Sequence, residues 1–500
     1  MESLQHDYFF WRLIHYYILQ KGFRVLDKRG QEFWLENEEA KPRRVLRIVR
    51  KDLDFTGSFR RDIVESVNQF EHMRGHLRLR KLIGENLYIS VYPPVESFED
   101  VTKPYYESKK KRTTVFTSLL DRKSTERINL PDIPSIETVE QLEIAIFHLK
   151  QQITQATRAR EEKEKSLFLQ GKPIATVLLL CCIAAMFYVL EQNGGSTSIL
   201  TLIEFGAKYN PLIIEGEWWR LLSAMFLHIT FLHLFMNSLA LFYLGGAVER
   251  MYGTARFLII YFIAGLTGSI ASFSFNEQVA AGASGAIFGC FGALLYFGTV
   301  YKKLFFRTMG KSVLTILVIN LIFGFVVPMV DNGAHIGGLL GGFLACVIVH
   351  LPNHKTTYKQ PVVAAITTFL LLGLFWFGIN NDQKASSSIL ELQIGQEHLQ
   401  QDELELAYPF LKRAVEEGAA RPEATFLLAY AEAKFENYEV AKELLLVTIE
   451  KRYVFHEAHY NLALIYLELD QIEEARASVN RAVQLHPDDT YLDLQERLRD

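Results

Sequence analysis

Between Pro173 and Ile379 the chain carries seven long apolar segments, near residues 173–190, 221–247, 255–275, 284–301, 312–330, 334–351 and 361–379. Each comes close to the ~20 residues that a helix needs to cross ~30 Å of hydrocarbon, so the spacing predicts a polytopic α-helical membrane domain with seven crossings. Basic residues cluster in alternate loops: before Pro173, in Arg250–Arg256, in Lys302–Lys311 and in His350–Lys359. The other loops hold Glu204, Glu215, Glu217, Glu277 and Asp331, with Lys208 as the main exception. Because Lys and Arg concentrate on the cytoplasmic side, this pattern puts the N-terminus in the cytoplasm and, after an odd number of crossings, the C-terminus outside.

The average composition, 49% hydrophobic with a net charge of −4, conceals an apolar middle between two soluble ends. A length of 500 residues fits about three domains at ~150 residues each. We expect a cytosolic α/β domain with a charged helical linker over residues 1–165, a six-helix membrane core over 166–352, a seventh crossing over 353–383, and extracytoplasmic helical repeats over 384–500. No short apolar run with a cleavage site opens the chain, so the N-terminus is expected to be retained. Within the first domain, Phe9–Leu19 and Arg60–Leu79 read as helices, and Phe23–Leu26 with Glu32–Leu35 read as a hairpin. Val45–Val49 and Leu87–Val91 read as further strands. Asp52 and Asp54 offer two carboxylates that a divalent cation or small ligand could use, although such a pair is more often a solvated turn. The basic run Lys109–Arg112 suits a membrane surface better than nucleic acid, for which no fingerprint is present.

At the other end Ala407, Ala441 and Ala475 recur every 34 residues, and Glu423-Ala424 recurs as Glu457-Ala458 at the same offset. That is the period of tetratricopeptide repeats, whose small alanines let paired helices approach, and a protein partner on their concave face is the expectation. All four cysteines, Cys181, Cys182, Cys290 and Cys346, fall in apolar stretches as small hydrophobes, which predicts neither a disulfide nor a metal site.

Polar groups inside a bilayer are costly and need a reason. Ser284 stands at the outer end of the fourth segment, in Gly282-Ala283-Ser284-Gly285, and His335 at the outer end of the sixth. His233 and Asn237 share one face of the second, at i and i+4. Taken singly, a serine there is more often a cap or interhelical contact, a histidine can be a packed interfacial residue, and an asparagine is commonly interhelical glue. Jointly they supply what acyl transfer needs: a hydroxyl, an imidazole able to take its proton, and donors for a developing oxyanion in Asn237, His233 and the Ser284 amide. Asp331 is a weaker candidate for a third member that orients the base. Gly285 with Gly289, and Gly338 with Gly342, form small-residue pairs that would let the two segments pack closely. Phe288, one turn after Ser284, is placed to pack on the imidazole.

Residues 171–352 resemble the rhomboid intramembrane protease core. Glu217-Trp218-Trp219-Arg220 is similar to its first-loop Trp-Arg motif, while His228 and His233-Leu234-Phe235-Met236-Asn237 are similar to its second-helix motif, followed by Glu249-Arg250. Gly282-x-Ser284-Gly285 and Ala334-His335-x-x-Gly338-x-x-x-Gly342 resemble the segments bearing nucleophile and base. A tyrosine often stands in this family where Phe288 stands here, so the hydroxyl is lost and the ring kept. The resemblance implies a cofactor-free serine endopeptidase with a Ser284–His335 dyad and an oxyanion site at Asn237, His233 and the Ser284 amide. It further implies substrates that are membrane proteins cut in or near helix-destabilised transmembrane segments. From the apolar flank we expect Trp218, Trp219 and Arg220 to anchor at the membrane interface. The competing expectations are a non-catalytic or dual-function rhomboid-like adaptor, disfavoured by the presence of both dyad residues, and a transporter, for which midplane polar residues and repeat symmetry are missing. A bacterial plasma membrane is the expected location.

Overall fold

The computed structural model describes residues 2–77, 79–107, 112–121, 138–327, 330–352, 354, 357–381, 387–416 and 421–499. Lys109–Lys111 and the expected boundary at 383/384 lie outside these residues. The chain forms two compact units, Met1–Phe168 and Leu169–Asp500.

The first unit is a six-stranded sheet between helices. Strands β1 (Arg24–Arg29), β2 (Glu32–Asn37), β3 (Arg43–Arg50), β4 (Leu82–Ile89), β5 (Tyr105–Glu107) and β6 (Thr113–Leu120) lie in the order β1-β2-β3-β4-β6-β5. The first three run antiparallel, whereas β3, β4 and β6 are parallel. Side chains alternate across the pleat, so Phe33 and Leu35 face α1 (Glu2–His15) while Trp34 faces α2 (Thr56–His76). On α2, Phe59, Ile63, Val67 and Phe70 form the apolar stripe that covers the sheet. Helix α3 (Val139–Ser166) is more than a charged connector: Leu142, Ile146, Leu149 and Ile153 recur along one face and are buried, the last three in the core shared with α1. Strand β6, which the sequence reading does not single out, completes the parallel part of the sheet.

The second unit opens with α4 (Ile174–Gln192) and three short helices, α5 (Ile199–Glu204), α6 (Asn210–Ile214) and α7 (Arg220–Ser223). Then follow α8 (Phe231–Tyr252), α9 (Thr254–Phe275), α10 (Ser284–Val300), α11 (Lys302–Thr308), α12 (Gly310–Val326), α13 (Asn332–Val349) and α14 (Lys359–Ile379). Among the described residues, five of these (α4, α8, α9, α13 and α14) are long and apolar enough to cross a membrane. Helices α11 and α12 pass together as a pair bent by 75°, and α10 is a shorter apolar helix. The continuous helix of the second apolar segment starts later than its hydropathy suggests: α7 and a single 3-10 turn (Ala224–Phe226) occupy residues 220–226, and α8 begins only at Phe231, where the Thr230 hydroxyl accepts from the His233 amide at 3.2 Å. At the far end of α8 the buried Glu249 carboxylate accepts from the Ala175 amide (2.9 Å), the Thr176 amide (2.8 Å), the Thr176 hydroxyl (2.7 Å) and the Thr254 hydroxyl (2.8 Å). Four donors offset the cost of burying the charge, and they tie the starts of α4 and α9 to one point.

The remaining helices are α15 (Ser388–Gln400), α16 (Leu404–Glu416), α17 (Pro422–Lys434), α18 (Tyr438–Lys451), α19 (His456–Glu468), α20 (Ile472–Leu485) and α21 (Asp489–Arg497). Ala407, Ala441 and Ala475 fall at equivalent places in α16, α18 and α20, all fully buried, and Ala424 and Ala458 do the same in α17 and α19. The 34-residue period is thus a stack of antiparallel helix pairs touching through alanine.

Candidate active site

Three helix starts and one glycine turn converge at one end of the bundle. Ser284 opens α10, His335 lies in the first turn of α13, and His233 and Asn237 lie in the first two turns of α8. The turn before Ser284 depends on Gly282, whose φ of +142° is closed to side chains. A Cβ there would also stand 2.9 Å from His233 Cε1 and 3.6 Å from Asn237 Nδ2, so the missing side chain is what lets α8 reach the nucleophile candidate.

Helices α10 and α13 touch backbone to backbone. A Cβ on Gly338 would fall 1.9 Å from the Gly285 carbonyl oxygen, and one on Gly342 would fall 2.3 Å from that of Gly289. A second glycine stripe on α13, Gly337 and Gly341, faces Thr267 and Ala271 of α9, and Gly268 of α9 lies against both Ala334 and Gly285. The sequence reading identifies the first stripe only; the second was visible as two more glycines at i and i+4 on the same helix.

The imidazole of His335 stacks on Phe288, with ring centroids 4.1 Å apart and planes 13° from parallel. Among the described residues, its Nδ1 is buried without a hydrogen-bond partner, as is Nδ2 of Asn237. His228, fully buried, sets its ring 5.0 Å from that of His233. The Asp331 carboxylate caps α13, accepting from the Ala334 amide at 2.9 Å and from the Ser272 hydroxyl. Trp218 and Trp219 are more than half exposed, but Arg220 corrects the expectation of an interfacial anchor. Its guanidinium turns inward to Glu217 at 2.6 Å and to the carbonyls of Ile203 and Ala207, and it holds the loop together from within.

Neither the Glu249 hub nor the Arg47 network of the first unit is legible in the sequence. Arg47 grips Glu32 with two nitrogens at 3.0 Å each, and reaches Asp62 at 2.9 Å and the Tyr88 hydroxyl at 2.8 Å. Its four members come from β2, β3, α2 and β4, so only folding assembles them. The Asp52 carboxylate is occupied by Arg50 at 2.8 Å. An apolar cavity of 460 Å³ between α9, α13 and α14 is lined by Gly337 and Gly341 but does not include His335.

Residues 215–352 match the model of the Rhomboid domain, and residues 456–489 match that of the Tetratricopeptide repeat. The rhomboid protease GluP of Bacillus subtilis (strain 168) is 37% identical over 475 residues, 92% of each chain. The chain belongs to the rhomboid protease family. The putative rhomboid protease YdcA of the same organism is 34% identical over 35% of this chain and 88% of its own length. RHOMBOID-like protein 5 of Arabidopsis thaliana is 42% identical over 31% of this chain and 52% of its own. As a rhomboid protease with C-terminal tetratricopeptide repeats, the chain is a multi-pass membrane protein, and the convergence of α8, α10 and α13 lies within the matched domain.

Proposed function

We propose that this rhomboid protease is a serine endopeptidase that cuts membrane proteins in or near their transmembrane segments, with Ser284 as nucleophile and His335 as general base. The observation that carries the reading is the stack of the His335 ring on Phe288, one helical turn beyond Ser284. In this reading the imidazole takes the Ser284 proton as Oγ attacks the scissile carbonyl, then returns it to the leaving amine. The carbonyl oxygen, now an oxyanion, is met by the Asn237 amide, the His233 ring and the Ser284 backbone N–H at the start of α10. Water then attacks the acyl-enzyme by the same proton route and releases the second fragment.

A spanning helix locks its carbonyls in its own hydrogen bonds, so substrates with helix-destabilised segments, rich in Gly or Pro, are the ones this site can open. The alternation of basic loops supports a reading in which the nucleophile end faces the extracytoplasmic side of a bacterial plasma membrane, with the first unit cytosolic and the repeats, over 384–500, outside. We further assign a protein partner to the repeats.

Wild type, Ser284→Ala and His335→Ala are compared on a reporter membrane substrate in detergent. Cleavage falls to background in both variants while their thermal unfolding stays near wild type; cleavage by both at the wild-type rate rejects the dyad.

A further inference from the structure

Lys208, the main exception to the loop charge pattern, is fully buried between the short helices α5 and α6. Its ammonium donates to the carbonyls of Asn276 and Gln278, both at 2.7 Å. Burial pulls its pKa down to about 8, against the opposing pull of Asp331 and Glu277. Its backbone pairs with Ala280 in both directions, at 2.9 and 3.0 Å, and the Asn210 side chain donates to the Asn276 carbonyl at 3.1 Å. These contacts fasten residues 276–280 to the segment 208–210. Two residues further on, the Gly282 amide donates to the Ala224 carbonyl at 2.9 Å, and Ser284 follows.

The first helix of the repeat region lies over the same place. Glu397 of α15 accepts from the Ile199 amide at 2.8 Å, the Leu200 amide at 3.0 Å and the Ser198 hydroxyl at 2.9 Å. Leu390 and Ile394, fully buried, pack with Tyr209, Ile199, Leu200 and Val279. Gln278 donates to the Ser387 hydroxyl at 3.3 Å. One helix face therefore rests on both halves of the clamp, the 199–210 segment and the loop that leads into Ser284.

We propose that Glu397 and Lys208 are positioning residues for the reaction, and that helix α15 belongs to the scaffold that fixes the nucleophile's loop. The proposal rests on Ser284 being the nucleophile. A buried ammonium satisfied by loop carbonyls and a carboxylate satisfied by three donors of an adjacent segment are directional ties, and they hold a loop in one place as apolar contact alone does not. A repeat domain that only recruited partners would have no use for them.

The test uses the full-length protein in detergent with three variants, Glu397→Ala, Glu397→Gln and Lys208→Met. Two readouts are taken: the second-order rate at which a small fluorophosphonate labels Ser284, and hydrogen exchange of the amides in residues 276–283. A small probe needs no recruitment, so a loosened loop lowers its labelling by up to about a hundredfold in Glu397→Ala and Lys208→Met, the loss that a misplacement of about 1 Å can cause. Glu397→Gln keeps the shape but turns one acceptor into a donor facing an amide, and it gives an intermediate rate. Exchange over 276–283 rises in the same order. Labelling and exchange both at wild-type values overturn the proposal, as does a raised KM for a membrane substrate with labelling unchanged, which is the signature of recruitment alone. A wild type that resists the probe while exchange rises in the variants removes Ser284 as nucleophile and leaves the clamp standing. If Lys208→Met does not accumulate folded, the two Glu397 variants decide.

Discussion

Each candidate residue of the site is defined by what surrounds it. Gly282 combines a backbone conformation that side chains avoid with a gap that His233 and Asn237 fill, so the Gly-x-Ser spacing has a steric cause. Asn237 presents an Nδ2 with no partner among the described residues, 3.6 Å from where a Gly282 Cβ would stand. If that amide meets the oxyanion, Asn237→Ala lowers kcat by about 10²–10³ with little change in KM, the loss expected for one oxyanion donor. An asparagine that served as interhelical glue would instead lower the unfolding temperature and spare kcat. Gly338 makes a second prediction, because a Cβ there would meet the Gly285 carbonyl oxygen at 1.9 Å. Gly338→Ala is expected to cost about 1–3 kcal/mol through overpacking, read as a lower unfolding temperature in detergent with loss of cleavage. Gly373→Ala, on a face of α14 with nothing within 4 Å, is the control, and is expected to be neutral or slightly stabilising.

At the level of elements, charges join pieces that sequence keeps apart. The carboxylate of Glu249 gathers α4, α8 and α9, while Arg47 gathers β2, β3, α2 and β4. Burial pushes the Asp62 carboxyl up, but its bonds to Lys51, Tyr88 and Arg47 outweigh this and hold it below the ordinary value of 3.8. A carboxyl depressed in the folded state contributes stability that is fully present above its unfolded pKa and is lost as pH falls through the folded one. Residues 1–168, which form a compact unit, should therefore lose thermal stability in circular-dichroism melts as the pH drops below about 4. Asp62→Asn should flatten that dependence and lower stability at neutral pH; an unchanged acid limb would show that Asp62 does not carry it. Two element boundaries also depend on local chemistry. Hydropathy alone extends the second apolar segment back to residue 221, yet Thr230 caps the continuous helix at Phe231, and residues 220–226 form only short helical turns, with Arg220 and His228 buried.

For the whole molecule, the repeat region and the membrane bundle meet through Glu397, Leu390 and Ile394, and the Glu397 and Lys208 variants test whether that junction reaches the chemistry. The sequence alone determined the helical membrane bundle, because hydrocarbon rewards long apolar runs wherever they occur, and it determined the repeats, because stacking needs alanine at a fixed period. It also singled out Ser284, His335, Asn237 and His233, since polar groups stand out against an apolar background and motif spacing survives without coordinates. Tertiary structure decided how the polar groups around them turn: that Asp331 caps its own helix, and that Arg220 points inward to the carbonyls of Ile203 and Ala207. It alone assembled Arg47 with its carboxylates and laid α15 beside the loop of Ser284. Periodicity is written locally along the chain, whereas a hydrogen bond between residues 198 positions apart exists only once the fold has closed the distance.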